Sequence, residues 1–228
     1  MAAKSPAKSR ARELIDVQTP TGLAQADLEL PTSAPAGLLV LGHGAGGGID
    51  APDLKAMTAA AREAGLAVAR VRQPYSVAGR RAPAPAPQLD AAWIAVVEHL
   101  ATLLRADYPR LPVAVGGRSS GGRVACRTAL ATGAVGVIAL AFPLHPPGHP
   151  EKSRAAELEA GVPLLVLQGS RDPFGSPAEF PSGTKIHEVA GADHRLVGPP
   201  MAGAIGAAVA WLSPLLSTGA NSKSRSRR

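Results

Sequence analysis

Ser119, Asp172 and His194 are the residues whose types and order could together carry acyl-transfer chemistry. Ser119 is the centre of Gly117-Arg118-Ser119-Ser120-Gly121, a Gly-x-Ser-x-Gly motif. The motif sits between the apolar run Val113–Val115 and a helical pattern over Ser120–Thr132. A strand that turns this sharply into a helix forces the serine into a strained backbone conformation, and the flanking glycines have no Cβ to clash. A serine hydroxyl is a poor nucleophile at neutral pH and needs a base within hydrogen-bond reach. His194 has the chemistry for that base, and Asp172 could hold the imidazole in one tautomer and stabilise its charged form. The Ser120 N–H at the start of the helix and the Ala45 N–H in a glycine loop could receive a developing oxyanion.

These candidates share a position. His43-Gly44-Ala45-Gly46 follows the apolar run Leu38–Leu41, Ser119 follows Val113–Val115, Asp172 follows Leu164–Leu167, and Asp193-His194 follows Thr184–Val189. In an open parallel sheet the carboxyl ends of the strands form the ligand edge. His43 and Arg118, beside the glycine loop and the serine, are the candidate substrate contacts. His43 also suits a loop-shaping role. Asp193 is the rival acid, but its adjacency to His194 works against a productive reach to the ring, so Asp172 is favoured. His99 reads as solvated on an amphipathic helix, His145 and His149 as exposed in a proline-rich loop, and His187 has no assigned role. Cys126 falls inside the helix after the motif and reads as a small core residue.

The elements that must position these groups alternate. Glu13–Val17 and Asp27–Leu30 read as an edge hairpin. Strands follow at Gly37–Leu41, Leu66–Val71, Val113–Val115, Val135–Leu140, Leu164–Leu167 and Thr184–Val189. Helical patterns lie between them at Pro52–Ala64, Leu89–Leu104 and Ser120–Thr132, with a small helix at Ser153–Ala160 and a closing one at Met201–Leu212. Residues 73–88 read as a loop. This alternation predicts an α/β fold with a mainly parallel sheet covered by helices on both faces. The interval Ala141–Pro163 is too short for a cap domain.

With 228 residues the chain suits one domain with a substantial core, which must be aliphatic because aromatics are only 3%. The net charge of +7 is confined to the ends. Lys4, Lys8 and Arg10 stand among residues 1–10 without an acid, and Lys223, Arg225, Arg227 and Arg228 stand among residues 217–228 without one. Residues 11–216 are therefore balanced, which argues against a specific nucleic-acid surface. The two ends are expected to be disordered basic tails. One cysteine excludes an internal disulfide and fits a cytoplasmic setting. No secretory signal and no uninterrupted membrane-spanning run are expected.

Several stretches together are more specific than the serine motif alone. Leu41-Gly42-His43-Gly44-Ala45-Gly46, Gly117 to Arg123, Phe142-Pro143-Leu144-His145-Pro146-Pro147-Gly148, Leu167-Gln168-Gly169-Ser170-Arg171-Asp172-Pro173-Phe174-Gly175 and Asp193-His194 resemble the small α/β-hydrolase-fold proteins of the testis-expressed and NSL-complex-subunit hydrolase-like group. That group is similar to dienelactone hydrolases, and the resemblance spans about residues 13–214. It implies a single-domain hydrolase fold without a cap, with Ser119, Asp172 and His194 on the triad positions. No cofactor and no metal are expected, and the short, proline-rich Ala141–Pro163 interval together with 3% aromatics points to a small soluble ester or lactone as substrate. Dienelactone hydrolases carry a cysteine nucleophile where this chain has Ser119. Some members of the group serve as complex subunits, so a non-catalytic interaction protein is the alternative. A second alternative reads Gly42-His43-Gly44-Ala45-Gly46-Gly47 as a dinucleotide-binding loop. Arg70 and Arg72, ending the next strand, would then suit NADP.

Overall fold

The computed structural model describes residues 12–221, so the expected tail over 1–10 lies outside the described residues. The chain opens with a hairpin, β1 (Arg12–Thr19) and β2 (Gly22–Glu29), whose register runs from Arg12 opposite Glu29 to Thr19 opposite Gly22. There follow β3 (Leu38–Gly42), α1 (Pro52–Glu63), β4 (Ala67–Arg72), the short α2 (Pro74–Val77), α3 (Ala86–Arg105), β5 (Val113–Arg118) and α4 (Ser120–Thr128). The chain continues through β6 (Val137–Leu140), β7 (Leu164–Gly169), β8 (Ile186–Val189) and α5 (Pro200–Asn221). These strands form one eight-stranded sheet in the order β1-β2-β4-β3-β5-β6-β7-β8. β2 meets β1 and β4 antiparallel, and every other pairing is parallel.

The apolar runs are continuous because each central strand is buried on both faces. Successive side chains point to opposite faces. In β3, Leu38 and Val40 join the core beneath α3 and α4, whereas Leu39 and Leu41 join the one beneath α1 and α5. The α3–α4 side is completed by Trp93, Val96, Leu100, Val124 and Phe142, and the α1–α5 side by Leu54, Met57, Ile205, Ala208 and Leu212. With few aromatics, the core is mostly aliphatic apart from Tyr75, Trp93, Phe142 and Phe180.

Several boundaries differ from the sequence reading. α3 begins at Ala86, because Pro85 and Pro87 occupy the cap and first turn, where a missing N–H costs nothing. The loop expected over 73–88 contains α2, which also starts on a proline. The helix expected over Ser153–Ala160 is only a 3₁₀ turn at Ala155–Leu158. α4 ends at Thr128 rather than Thr132. α5 runs to Asn221 although Pro214, inside it, has no N–H to donate to Ala210. The stretch expected as a tail from residue 217 therefore begins inside a helix. A window of α5, Pro200–Ser217, has mean hydropathy 1.4, enough by length and composition for a membrane span. Here its apolar side, Met201 to Leu216, packs on the sheet.

α4 and β3 approach each other backbone to backbone. A Cβ on Gly121 would stand 2.4 Å from the carbonyl carbon and oxygen of Gly42, and one on Gly117 would stand 2.6 Å from the same oxygen. Backbone atoms cannot rotate away as a side chain can. Gly121→Ala is therefore expected to destabilise the domain by roughly 2 kcal/mol or more. Gly206→Ala, on the exposed side of α5 with open space at its Cβ position, should stabilise it by roughly 0.5–1 kcal/mol. Urea midpoints of the two variants, moving in opposite directions, check this.

Candidate active site

Ser119 stands between the end of β5 and the first residue of α4 with φ 51° and ψ −113°. The strain expected of a nucleophile turn is thus present. The Ser119 N–H donates to the Leu140 carbonyl at 2.8 Å, which ties the turn to the end of β6. The Ser120 N–H lies in the first turn of α4, where no intrahelical acceptor exists.

His194 is carried to the serine by the loop after β8. Gly169, at the end of β7, admits that loop: a Cβ there would be 2.5 Å from the Ala192 carbonyl oxygen. The Arg171 N–H donates to the same carbonyl at 2.9 Å. His194 Nε2 is 3.0 Å from Ser119 Oγ, and His194 Nδ1 is 2.8 Å from Asp172 Oδ2. A carboxylate only accepts, so Nδ1 carries the proton and Nε2 accepts from the serine hydroxyl. The Asp172 carboxylate is buried and also accepts from Gln168 Nε2 at 2.9 Å and from the Phe174 N–H at 2.8 Å. The Phe174 ring lies 4.2 Å, centroid to centroid, from the imidazole and limits its rotation. The rival acid, Asp193, turns away and pairs with Arg195 at 2.8 Å.

The glycine loop closes the other side. The Gly47 N–H donates to the Gly44 carbonyl at 3.1 Å, a turn that leaves the Ala45 N–H outside its own hydrogen bond. A Cβ on Gly44 would stand 3.6 Å from Ser119 Cβ, so this loop lies against the serine. His43 is 3% exposed, and both ring nitrogens face backbone. Nδ1 donates to the Gly44 carbonyl at 2.8 Å, and Nε2 accepts from the Gln73 N–H at 3.3 Å. Burial also pushes its pKa down, which keeps the ring neutral. The expectation of a substrate contact at His43 is therefore corrected: no ring nitrogen is free, and the residue shapes the loop.

Arg118, the other expected substrate contact, is likewise engaged. Its Nη2 donates to the His194 carbonyl at 2.8 Å, and its Nε is 2.8 Å from Asp53 Oδ2 in α1. Arg123 pairs with Glu157, and Arg127 with Asp90 and Glu157. The guanidinium groups flanking the serine are thus all compensated. Sequence reasoning missed Asp53, Gln168 and Phe174. The last two flank Asp172 in a stretch already singled out, whereas Asp53 resembles an ordinary acid favoured in a helix first turn.

Two other expectations change. Arg70, which a dinucleotide's 2′-phosphate would need, is 2% exposed and held by Asp27 and Glu29. The glycine loop lies against Arg118 and Ser119. His145, expected to be exposed, is buried. Its Nδ1 donates to the Pro146 carbonyl at 2.9 Å and its Nε2 lies 2.9 Å from Glu179 Oε2. His99 and His149 are exposed, and Cys126 is buried with its thiol pushed up to about 12 by burial. Among the described residues no group of three or more His, Cys, Asp or Glu side chains is placed to hold a metal.

A parallel sheet crossed by helices, with a strained serine at the central strand's carboxyl end, defines an α/β hydrolase fold. The chain matches the alpha/beta hydrolase domain family over residues 35–208, and it belongs to that family. No curated protein matches it by sequence. Solved structures with the same fold include a lidless α/β serine hydrolase from Xanthomonas campestris, at 18% identity and TM-score 0.65, with 95% of this chain and 97% of that one covered. A dienelactone hydrolase from Anabaena variabilis matches at 18% identity and TM-score 0.67, covering 91% and 97%. The esterase domain of a Rhodothermus marinus protein matches at 14% identity and TM-score 0.66, covering 89% and 98%.

The His145–Glu179 contact clips the loop after β6 to the loop after β7, where the His145 N–H also donates to the Phe174 carbonyl at 3.0 Å. The Pro146 carbonyl and the carboxylate raise the His145 pKa, while the Ser176 N–H and His145 lower that of Glu179. A raised histidine contributes stability that is complete below its unfolded pKa of about 6.5 and is lost as pH rises through the raised value. The carboxylate's share is lost only as pH falls through its lowered value. The clip is thus strongest from the unfolded carboxylate pKa of about 4.3 up to about pH 6.5. Glu179→Gln should lower Tm more at about pH 6 than at about pH 9. A Tm deficit independent of pH would show that the ion pair does not form.

Proposed function

We propose that the protein is a serine hydrolase that cleaves small soluble esters or lactones through Ser119, His194 and Asp172. The observation that carries the proposal is the unbroken hydrogen-bond chain from Ser119 Oγ through both nitrogens of His194 to the buried Asp172 carboxylate. His194 Nε2 takes the serine proton as Oγ bonds to the substrate's carbonyl carbon. The negative charge on the tetrahedral oxygen is received by the N–H groups of Ala45 and Ser120, whose arrangement costs no reorganisation during the step. Collapse breaks the bond to the leaving oxygen, which takes the proton from His194. Water then attacks the acyl-serine, gives a proton to His194, and the acid leaves as the proton returns to Oγ. Asp172 accepts from Nδ1 throughout and stabilises the transient imidazolium.

The loop after β6 supports a small substrate. Residues 141–145 are buried, Arg154 Nη1 donates to the Pro143 carbonyl at 2.9 Å, and only a 3₁₀ turn separates this loop from β7. It forms a fixed rim, with no helical lid among the described residues to enclose a long acyl chain. The motif resemblance to the testis-expressed and NSL-subunit group, and a cytoplasmic setting, belong to the same proposal. The alternative is a non-catalytic interaction protein of the same fold.

A serine-directed fluorophosphonate should label the wild type and leave Ser119→Ala unlabelled. Equal labelling of both removes the nucleophile assignment. Asp172→Asn should lower turnover by roughly three to four orders of magnitude, as expected when the histidine loses its orienting acid. Across nitrophenyl esters from acetyl to palmitoyl, kcat/KM should stop rising near butyryl, since a shallow site cannot gain the roughly 0.8 kcal/mol of each further buried CH₂. A steady rise to palmitoyl would reveal an acyl tunnel.

A further inference from the structure

We infer that Arg118 is a positioning residue, a three-way strut whose guanidinium fixes the His194 loop against the serine turn and is itself held by Asp53. The inference rests on the triad reading above. Arg118 directly precedes Ser119, so its backbone moves with the nucleophile. Its side chain meets three other segments. Nη2 donates to the His194 main-chain carbonyl at 2.8 Å. Nε is 2.8 Å from Asp53 Oδ2, in the first turn of α1. Nη1 lies against the glycine loop, where a Cβ on Gly44 would stand 3.1 Å from it. The His194 backbone, α1 and the glycine loop thus meet one planar group, carried by the residue that directly precedes Ser119.

Asp53 has the character of a support for that group. Its side chain has no solvent exposure, and its Oδ1 accepts from the Leu54 N–H at 2.9 Å. Oδ2 has no aligned hydrogen-bond donor, so its contact with Arg118 is a charge contact rather than a well-directed hydrogen bond. Burial pushes the Asp53 carboxyl pKa up, opposed by the Arg118 charge. A carboxylate this deep stays ionised at low cost only beside a cation.

The direct hydrogen bond reaches the histidine's backbone and not its ring. The loop around it is exposed at Gly191, Arg195, Val197 and Gly198, and Leu196 has φ 48°. Without the Arg118 contact, the loop would keep its ties at Gly191 and Ala192, two or more residues upstream, but would lose the one made by His194's own main chain. Lysine could keep the charge beside Asp53, but its single ammonium cannot sit there and also donate to the His194 carbonyl as the broad, planar guanidinium does.

The test compares wild type, Arg118→Lys, Arg118→Met, Asp53→Asn and a control, Arg127→Gln, which breaks an ion pair elsewhere on α4. Each is melted, then treated with a small neutral fluorophosphonate over a range of concentrations. This separates the limiting rate of Ser119 phosphonylation from the concentration giving half that rate. The strut predicts that Arg118→Lys stays folded with near-wild-type Tm. Its limiting rate should nevertheless fall roughly tenfold or more, as a small misplacement of the base requires. The half-rate concentration should stay within about twofold of wild type while Arg127→Gln keeps its labelling rate. Asp53→Asn should fall in the same direction as Arg118→Lys.

Full rescue by lysine, or rates that track Tm in the same way as the control, would reduce Arg118 to a stabilising ion pair and overturn the inference. A change confined to the half-rate concentration would make it a ligand contact and overturn it as well. An unlabelled wild type would instead refute the triad reading, and the strut with it. Should Arg118→Met fail to fold, the lysine and asparagine variants decide the outcome.

Discussion

The backbone of α4 rests on the backbone of β3, and the placement of the site depends on that contact. Gly117 and Gly121 lie so close to Gly42 that no side chain fits between them. This brings the N-terminus of α4 to the end of β3 and sets the serine turn beside the glycine loop that continues from Gly42. Trp93 fills the neighbouring space: a Cβ on Gly42 would be 3.2 Å from its ring and 3.1 Å from the Gly121 backbone. Ser119 and the glycine loop are therefore located by main-chain packing, which has far less freedom to relax than side-chain packing. The histidine approaches from the opposite side, from the loop after β8 at the far end of the sheet.

Charge is arranged under the same constraint. Apart from Asp172, the deeply buried ionic side chains, Arg70 with Asp27 and Glu29 and Asp53 with Arg118, each have a partner of opposite sign. Removing one member of such a pair commonly costs about 3–5 kcal/mol, because the other stays buried without compensation. Both sets join segments distant in sequence. Arg70 Nη1 donates to the Ile49 carbonyl at 3.1 Å, anchoring the loop between the glycine turn and α1, whose own Asp53 then meets Arg118. The buried pairs thus connect the hairpin edge to the serine through a series of elements that each carry backbone near the site.

Much of this was legible in the sequence, and the parts that were not have a common cause. Alternating apolar runs and helical periodicity mark the strands because burial on both faces leaves a continuous apolar record, as in Leu38–Leu41. Glycines on either side of Ser119 record the tight turn directly. The choice of Asp172 over Asp193 rested on reach, and the structure sets Asp172 on the imidazole and Asp193 on Arg195. Periodicity says which way a residue faces, not which distant residue it meets. Arg118 could be placed beside the serine, but nothing local signals that its side chain crosses to α1 and to the His194 loop. His145 stands between prolines ahead of an exposed stretch, and nothing local signals that the fold buries it and brings Glu179 beside it. The length of α5 was hidden by Pro214, whose rule as a helix breaker the packing of Leu212 and Leu216 overrides.

Backbone strain is distributed in the same pattern. Apart from glycines, the described residues with positive φ are Ser119, Ala141 and Leu196, at 51°, 48° and 48°. Each such conformation costs of order 1–3 kcal/mol and persists only where its surroundings over-determine it. All three lie at the carboxyl edge, and each is fixed by a main-chain hydrogen bond from its own N–H. Ser119 donates to Leu140 at 2.8 Å, Ala141 to Leu167 at 2.9 Å and Leu196 to Asp193 at 3.0 Å. The first two bonds step from β5 to the end of β6 and from β6 to the end of β7, and the third closes the turn that carries His194. The strained residues therefore cannot relax one at a time, because the geometry of each turn is tied to the strand or turn that holds the next part of the site. This coupling accounts for a precise arrangement of serine, histidine and aspartate on three separate loops, which without it would be the most mobile parts of the domain.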